Sequence, residues 1–197
     1  MDAPQPTHFM KATLKERGWT DAMIKRFLGA PDSTKTNPRY RSGSPMCLYA
    51  IERVLTAEGS PDFDAAKAKA ATRSAASTVR ADKARVELVR TIETVEIRIE
   101  HLDIDEVRSC AIDSYNHAPK RERDGRHATP DASPSFLDRI AVNFIRHELA
   151  DYDGIIAQLG GRIGKREAYR TLRRRVLAEI ARLYPILADA ARAQGRR

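Results

Sequence analysis

Ile24, Phe27 and Leu28 recur at i, i+3 and i+4 and predict a helix with one apolar face. Thr20 stands ahead of it as a cap, Asp21 occupies its positive first turn, and Ala30-Pro31-Asp32 stops it. Upstream, Phe9 to Arg17 predicts a shorter helix ended by Gly18. Downstream, from Lys35 to Tyr49, the text changes to Thr, Tyr and Arg around Arg41-Ser42-Gly43-Ser44-Pro45. That change predicts two short extended segments joined by a Ser/Gly/Pro turn. A third helix, Tyr49 to Glu58, closes the unit, with Leu48, Ile51, Val54 and Leu55 facing inward.

Beyond this unit the pattern changes twice. Between Asp64 and Arg90, seven basic and three acidic residues stand among nine alanines, with no large apolar side chain until Val79 and Val86. Alanine makes a helix affordable there, and the missing stripe predicts an exposed connecting helix or a partly disordered one. Val95-Glu96-Ile97-Arg98-Ile99-Glu100 then alternates apolar and polar, the mark of a half-buried strand that needs a partner. Asp103 caps a helix to about Tyr115, and residues 116–132 are read as an exposed loop. Ser133-Pro134 opens a helix carrying Phe136, Leu137, Ile140, Phe144, Ile145, Leu149, Tyr152 and Ile156, ended by Gly160-Gly161. A last helix, from about Gly164, carries Tyr169, Leu172, Val176, Ile180, Leu183 and Leu187, with Pro185 breaking it. The short connection predicts that these two helices pack antiparallel. The chain therefore divides into a loose tail (1–8), a compact patterned unit (9–60), a basic helical linker (61–90) and a larger helical domain (91–197). The expected fold is mainly α: a small N-terminal winged-helix-like unit plus a C-terminal helical domain with one or two short strands.

Charge narrows the function. Thirty-five Lys and Arg against 27 Asp and Glu leave a net +8 over 197 residues, and the pI is about 9.7. Such a balance favours an anionic partner, nucleic acid first. No stretch approaches about 18–20 consecutive apolar residues, so no membrane partner is expected. Met1 to Met10 has no basic start followed by an apolar block, which argues against a signal peptide. Two cysteines, Cys47 and Cys110, make no disulfide framework and point to a cytoplasmic location.

The positions of the basic residues matter more than their sum. Residues 9–55 hold nine Lys/Arg and four Asp/Glu, a net +5. Lys25 and Arg26 lie on the polar side of the second helix; Lys35, Asn37, Arg39, Tyr40 and Arg41 lie on the hairpin. A helix of this size fits a major groove, and a basic hairpin can follow the adjacent phosphate ridge. Arg and Asn suit base edges, Lys neutralises phosphate, and a tyrosine offers a flat face and a hydroxyl.

Gly18-Trp19-Thr20 through Phe27-Leu28, then Asn37-Pro38-Arg39-Tyr40 and Pro45-Met46-Cys47-Leu48-Tyr49, with Val54 closing, resemble the MerR/excisionase-like winged-helix DNA-binding superfamily. The stretch NPRYRSGSPMCLYAIERV is also similar to part of the DNA-binding domain of the xeroderma pigmentosum group A repair family. That family's four-cysteine zinc region has no counterpart here, so no repair-scaffold role is carried over. The resemblance covers roughly a quarter of the chain and implies that the second helix and the wing face DNA. Transferred to this sequence, it singles out Lys25, Arg26, Asn37, Arg39, Tyr40 and Arg41.

Other constellations compete for attention in the second half. His147-Glu148 begins a zinc-protease pattern, but its second histidine position is Asp151. Cys110, His117, His127 and His147 are chemically able to bind zinc, at spacings that match no compact module. Glu96, Glu100, Asp103, Asp105, Glu106 and Asp113 form an acidic patch of the kind that holds magnesium in nucleases. Gly160-Gly161-Arg162-Ile163-Gly164-Lys165 lacks the spacing and the Ser/Thr of a phosphate loop, and reads as a turn. Arg166, Arg170, Arg173 and Arg174 share a helix face, thickened by Lys165, Arg162 and Arg175: a secondary phosphate-binding strip, or a surface paired with the acidic patch.

The expectation is double-stranded DNA binding, sequence-directed or structure-directed, in a regulatory or recombination-accessory role. No cofactor and no catalytic residue are assigned. The second half is read as supplying homodimer or partner contacts, with the Val95–Ile99 strand pairing across a two-fold axis. Two alternatives stay open: a metal-dependent nuclease using the acidic patch 96–113, and a protein-interaction module without a nucleic-acid role.

Overall fold

A computed structural model describes residues 7–38, 43–118 and 127–196. Among them the chain is mainly helical, with nine helices and one three-stranded antiparallel sheet. The elements run β1 (His8–Met10), α1 (Lys11–Glu16), α2 (Asp21–Met23, continued by a π turn over Ile24–Leu28), β2 (Ser33–Lys35) and β3 (Met46–Ala50). Then come α3 (Ile51–Glu58), α4 (Pro61–Thr94), α5 (Ile104–Asn116), α6 (Pro134–Phe144, continued by a π turn over Ile145–Leu149) and α7 (Tyr152–Ala157). The chain closes with α8 (Lys165–Leu183), a 3₁₀ turn (Pro185–Leu187) and α9 (Ala188–Gly195). Two compact units result, residues 1–79 and 80–197, the division falling inside α4. Among the described residues no helix is long and apolar enough to cross a membrane.

In the first unit β3 is the central strand, paired antiparallel with β1 on one side and β2 on the other. Phe9 and Met10, expected to begin a helix, belong instead to β1, opposite Tyr49 and Leu48. Pairing to β3 overrides the local preference of three residues too few to show a period. Thr20 caps α2 as expected, its hydroxyl accepting from the Met23 amide at 3.2 Å. Leu14, Trp19, Met23, Ile24, Leu28, Tyr49 and Val54 form the core, and Phe63 from the first turn of α4 completes it. Trp19, Phe27 and Phe63 meet in tilted and edge-on contacts with centroids 4.5–6.3 Å apart, the geometry that ring quadrupoles favour. Leu55 departs from expectation: it is 52% exposed, because Val54 occupies the inward face of this two-turn helix. The unit is locked by Glu58, whose carboxylate accepts both Arg17 guanidinium N–H groups and the Trp19 indole N–H (2.8 Å for the indole).

α4 begins in the first core and ends in the second. Phe63 is buried at its start and Leu88 and Ile92 at its end; residues 71–80 between them are all exposed. The linker therefore contributes to burial at both ends, which its lack of a continuous stripe did not announce.

The second unit packs α5 on α6, and α9 on both α6 and α8. Of the helix expected from Ser133 to Gly160, the π turn over Ile145–Leu149 and α7 contact α8 directly, while α6 and α8 are both packed by α9, the segment after the Pro185 break. Asp103 caps α5, accepting from the Asp105 amide at 2.9 Å. The strand expected over Val95–Ile99 is reduced to one bridge, Ile99 with Ala150, extended by the Glu100 amide donating to the Leu149 carbonyl. Ala150 is itself the extended residue that interrupts the helix expected to run unbroken to Gly160. Ile99 and Glu100 thus find backbone partners within their own unit. Arg175 satisfies the end of α4, donating to the Ile92 and Val95 carbonyls at 2.6 and 2.7 Å. Gly164 at the start of α8 has φ +85°, and a Cβ there would lie 3.0 Å from the Arg85 Cα, so position and conformation both require glycine.

The Arg17 and Trp19 hydrogen bonds hold the Glu58 carboxyl below its usual range against the opposing effect of burial. A carboxylate with a lowered folded pKa adds stability that is present above its unfolded pKa and lost as pH falls through the folded one. Glu58→Gln keeps an acceptor for Trp19 but loses the ion pair. It is expected to lower unfolding free energy by about 1–3 kcal/mol at neutral pH, and urea titrations should show the gap to wild type closing as pH drops through the ordinary carboxylate range and below.

Candidate nucleic-acid interface

The seven described basic residues of positions 9–55 separate into engaged and unengaged groups. Asp21 draws Lys11 (3.0 Å) and Lys15 (3.2 Å) together, and these contacts lower its pKa. Arg17 is held by Glu58. Arg53 is bonded to the Asp32 carboxylate and to the Leu28 carbonyl, where it closes the exposed end of the π turn. Asp32 also accepts from the Ala50 amide at 2.8 Å, so one carboxylate fixes α2, β3 and α3 together.

Lys25, Arg26 and Lys35 remain exposed and make no ion pair among the described residues. Lys25 and Arg26 sit on the outer side of the π turn, where Met23, Ile24 and Leu28 face the core. The Arg26 guanidinium lies 4.8 Å from the Phe27 ring centroid, a cation–π contact at an exposed position. Lys35 ends β2, opposite Met46, and Asn37 follows it, half-buried. Arg39, Tyr40 and Arg41 lie outside the described residues.

The strip on α8 also divides. Lys165, Arg166, Arg170 and Arg174 are exposed, and the last three repeat every four residues, about 6 Å of helix rise per step. Arg173 does not belong with them. It is half-buried, one N–H donates to the Gln194 carbonyl at 3.0 Å, and its Nε is enclosed. Arg175 likewise serves the end of α4, while Arg162 is exposed on the turn before α8. Two arginines went unremarked in the sequence reading: Arg192 and Arg196, which line the same groove as Arg174. Their i, i+4 spacing was the available signal.

The competing constellations do not assemble. Among the described residues no three His, Cys, Asp or Glu side chains converge on a point that could hold a metal ion. This separates Cys110, His117, His127 and His147, and leaves the acidic patch without a metal-binding centre. Glu96 pairs with Arg98 at 2.7 Å, Asp103 caps a helix, and no ion pair among the described residues joins the patch to α8. His117 Nδ1 lies 2.8 Å from the Asp113 carbonyl. His147 Nδ1 is 2.9 Å from Asp153, and its Nε2 accepts from the Arg146 Nε. With Nε2 acting as acceptor, Nδ1 carries the proton and donates to the carboxylate. Gly160-Gly161 forms a turn, with Gly161 at φ +69°.

This division is testable by thermal melting. Arg173→Ala removes a half-buried side chain and its bond to Gln194, and is expected to cost about 1–3 kcal/mol; Arg166→Ala and Arg170→Ala should melt with wild type. Comparison with protein-family models, with curated proteins and with solved structures finds no match for this chain.

Proposed function

We propose that this protein binds double-stranded DNA through its first unit, as a winged-helix-like domain of the MerR/excisionase kind, in a regulatory or recombination-accessory role in the cytoplasm. The observation that carries the reading is the distribution of charge. Lys11, Lys15, Arg17 and Arg53 are ion-paired with acids of the same unit, the two lysines sharing Asp21, whereas Lys25, Arg26 and Lys35 are exposed without an ion pair among the described residues. An unpaired cation on a rigid support attracts phosphate without first having to break an internal bond. Under this reading α2 and its π turn approach the major groove, and the β2–β3 hairpin, with Arg39, Tyr40 and Arg41 between its strands, follows the neighbouring backbone. Lys165, Arg166, Arg170 and Arg174 form a second, sequence-independent contact to phosphates.

The test is a salt titration of duplex binding by the full chain. The logarithm of affinity is expected to fall linearly with the logarithm of salt concentration. Lys25→Ala/Arg26→Ala/Lys35→Ala should make that slope shallower by about 2–3, and Arg39→Ala/Arg41→Ala by about 2. Lys11→Ala, whose ammonium is held by the Asp21 it shares with Lys15, should change the slope by less than about 1. Absence of a mobility shift at low salt, or an unchanged slope in both multiple variants, overturns the proposal.

A further inference from the structure

The second unit carries a feature that shares only Arg174 with the proposed DNA contacts. Between α8 and α9 runs an open groove of about 560 Å³. Leu177, Ala178 and Ala181 contribute apolar surface to it, and Arg174, Arg192 and Arg196 stand around it, with no acidic residue in its lining. The rim is cationic on both sides, since Arg174 comes from α8 and the other two arginines from α9 and its C-cap. Of the three rim arginines, Arg192 is ion-paired with Asp189 at 3.0 Å, while the neighbouring Glu179 is taken by Arg182 at 2.6 Å, outside the groove. Arg174 and Arg196 make no ion pair among the described residues.

An occupant must therefore supply aliphatic groups for the floor and carboxylates for both edges. The recessed apolar floor does not suit a membrane surface, which is entered by projecting side chains. No aromatic residue lines the groove to stack a nucleic-acid base. A single-headed amphiphile would satisfy one of Arg174 and Arg196, on opposite edges, and leave the other without an ion pair. An amphipathic helix meets every requirement, with aliphatic side chains at i, i+3 or i+4 entering the groove and acids on either flank. We infer that the α8–α9 groove is a docking site for an acidic amphipathic helix of a partner protein. This inference does not rest on DNA binding by the first unit.

The probe is a fluorescein-labelled synthetic peptide of about four helical turns, with Leu on one face and Glu beside it, titrated against the full chain by fluorescence anisotropy. It is expected to bind at least about tenfold more tightly than a shuffled peptide of the same composition or one with Lys in place of Glu. Arg192→Glu/Arg196→Glu, at exposed positions outside the proposed DNA contacts, should weaken it about tenfold or more. Ala178→Trp, which fills the groove at an exposed position, should do the same and leave the salt slope of duplex binding unchanged. Equal binding of the shuffled or Lys peptide overturns the inference, as does wild-type binding by Arg192→Glu/Arg196→Glu. Displacement of the acidic peptide by duplex DNA or by dodecanoate, with the same sensitivity to both variants, reassigns the groove to those ligands and overturns it too.

Discussion

A cation already matched by a carboxylate has little attraction left for an outside anion, and the first unit is organised around that constraint. Asp21, Asp32 and Glu58 each do structural work with a basic partner: Asp21 gathers the two lysines of α1, Asp32 ties α2 to β3 and α3, and Glu58 fastens Arg17 and Trp19. Because those acids are engaged with residues that hold the fold together, none reaches Lys25, Arg26 or Lys35. The net charge of the segment understates the asymmetry. Among the described residues, the cations left without an ion pair fall on the π turn and at the end of β2.

The second unit applies the same separation to arginine. Arg175 and Arg173 direct their N–H groups at main-chain carbonyls of α4 and α9, where a planar fork with five donors closes helix ends that would otherwise be unsatisfied. Arg166, Arg170 and Arg174 point to solvent from the same helix. One run of basic residues therefore contains two populations that differ in burial rather than in charge, and the helix period distributes them between an inner and an outer side.

Several features were legible in the sequence because their cause is local. Thr20 and Asp103 begin helices through bonds to amides two or three residues away, and Pro185 ends one by lacking an N–H. Features set by distant contacts were not legible. β1 exists because β3 lies beside it some forty positions later in the chain. The interruption at Ala150 and the loss of the Val95–Ile99 strand are one event, a single bridge between segments whose individual patterns predicted a longer helix and a longer strand. In the candidate site, charge and spacing picked out Lys25, Arg26 and Lys35, but the occupation of Arg173 by Gln194 and of Arg53 by Asp32 depends on tertiary neighbours. The groove between α8 and α9 was hidden for a related reason: its two walls are joined only once Pro185 has turned the chain back.

The exposed middle of α4 has a consequence of its own. Residues 71–80 touch neither core, and there the helix is sustained by alanine, by its own hydrogen bonds, and by threonine hydroxyls such as Thr72 and Thr78 that bond back to carbonyls four residues earlier. A solvent-facing helical stretch of that length is marginal in water without support at its ends. Fraying at this point leaves both apolar cores intact, since neither loses a buried side chain. A protease cut within 71–80 would therefore yield two fragments that each keep their own buried side chains.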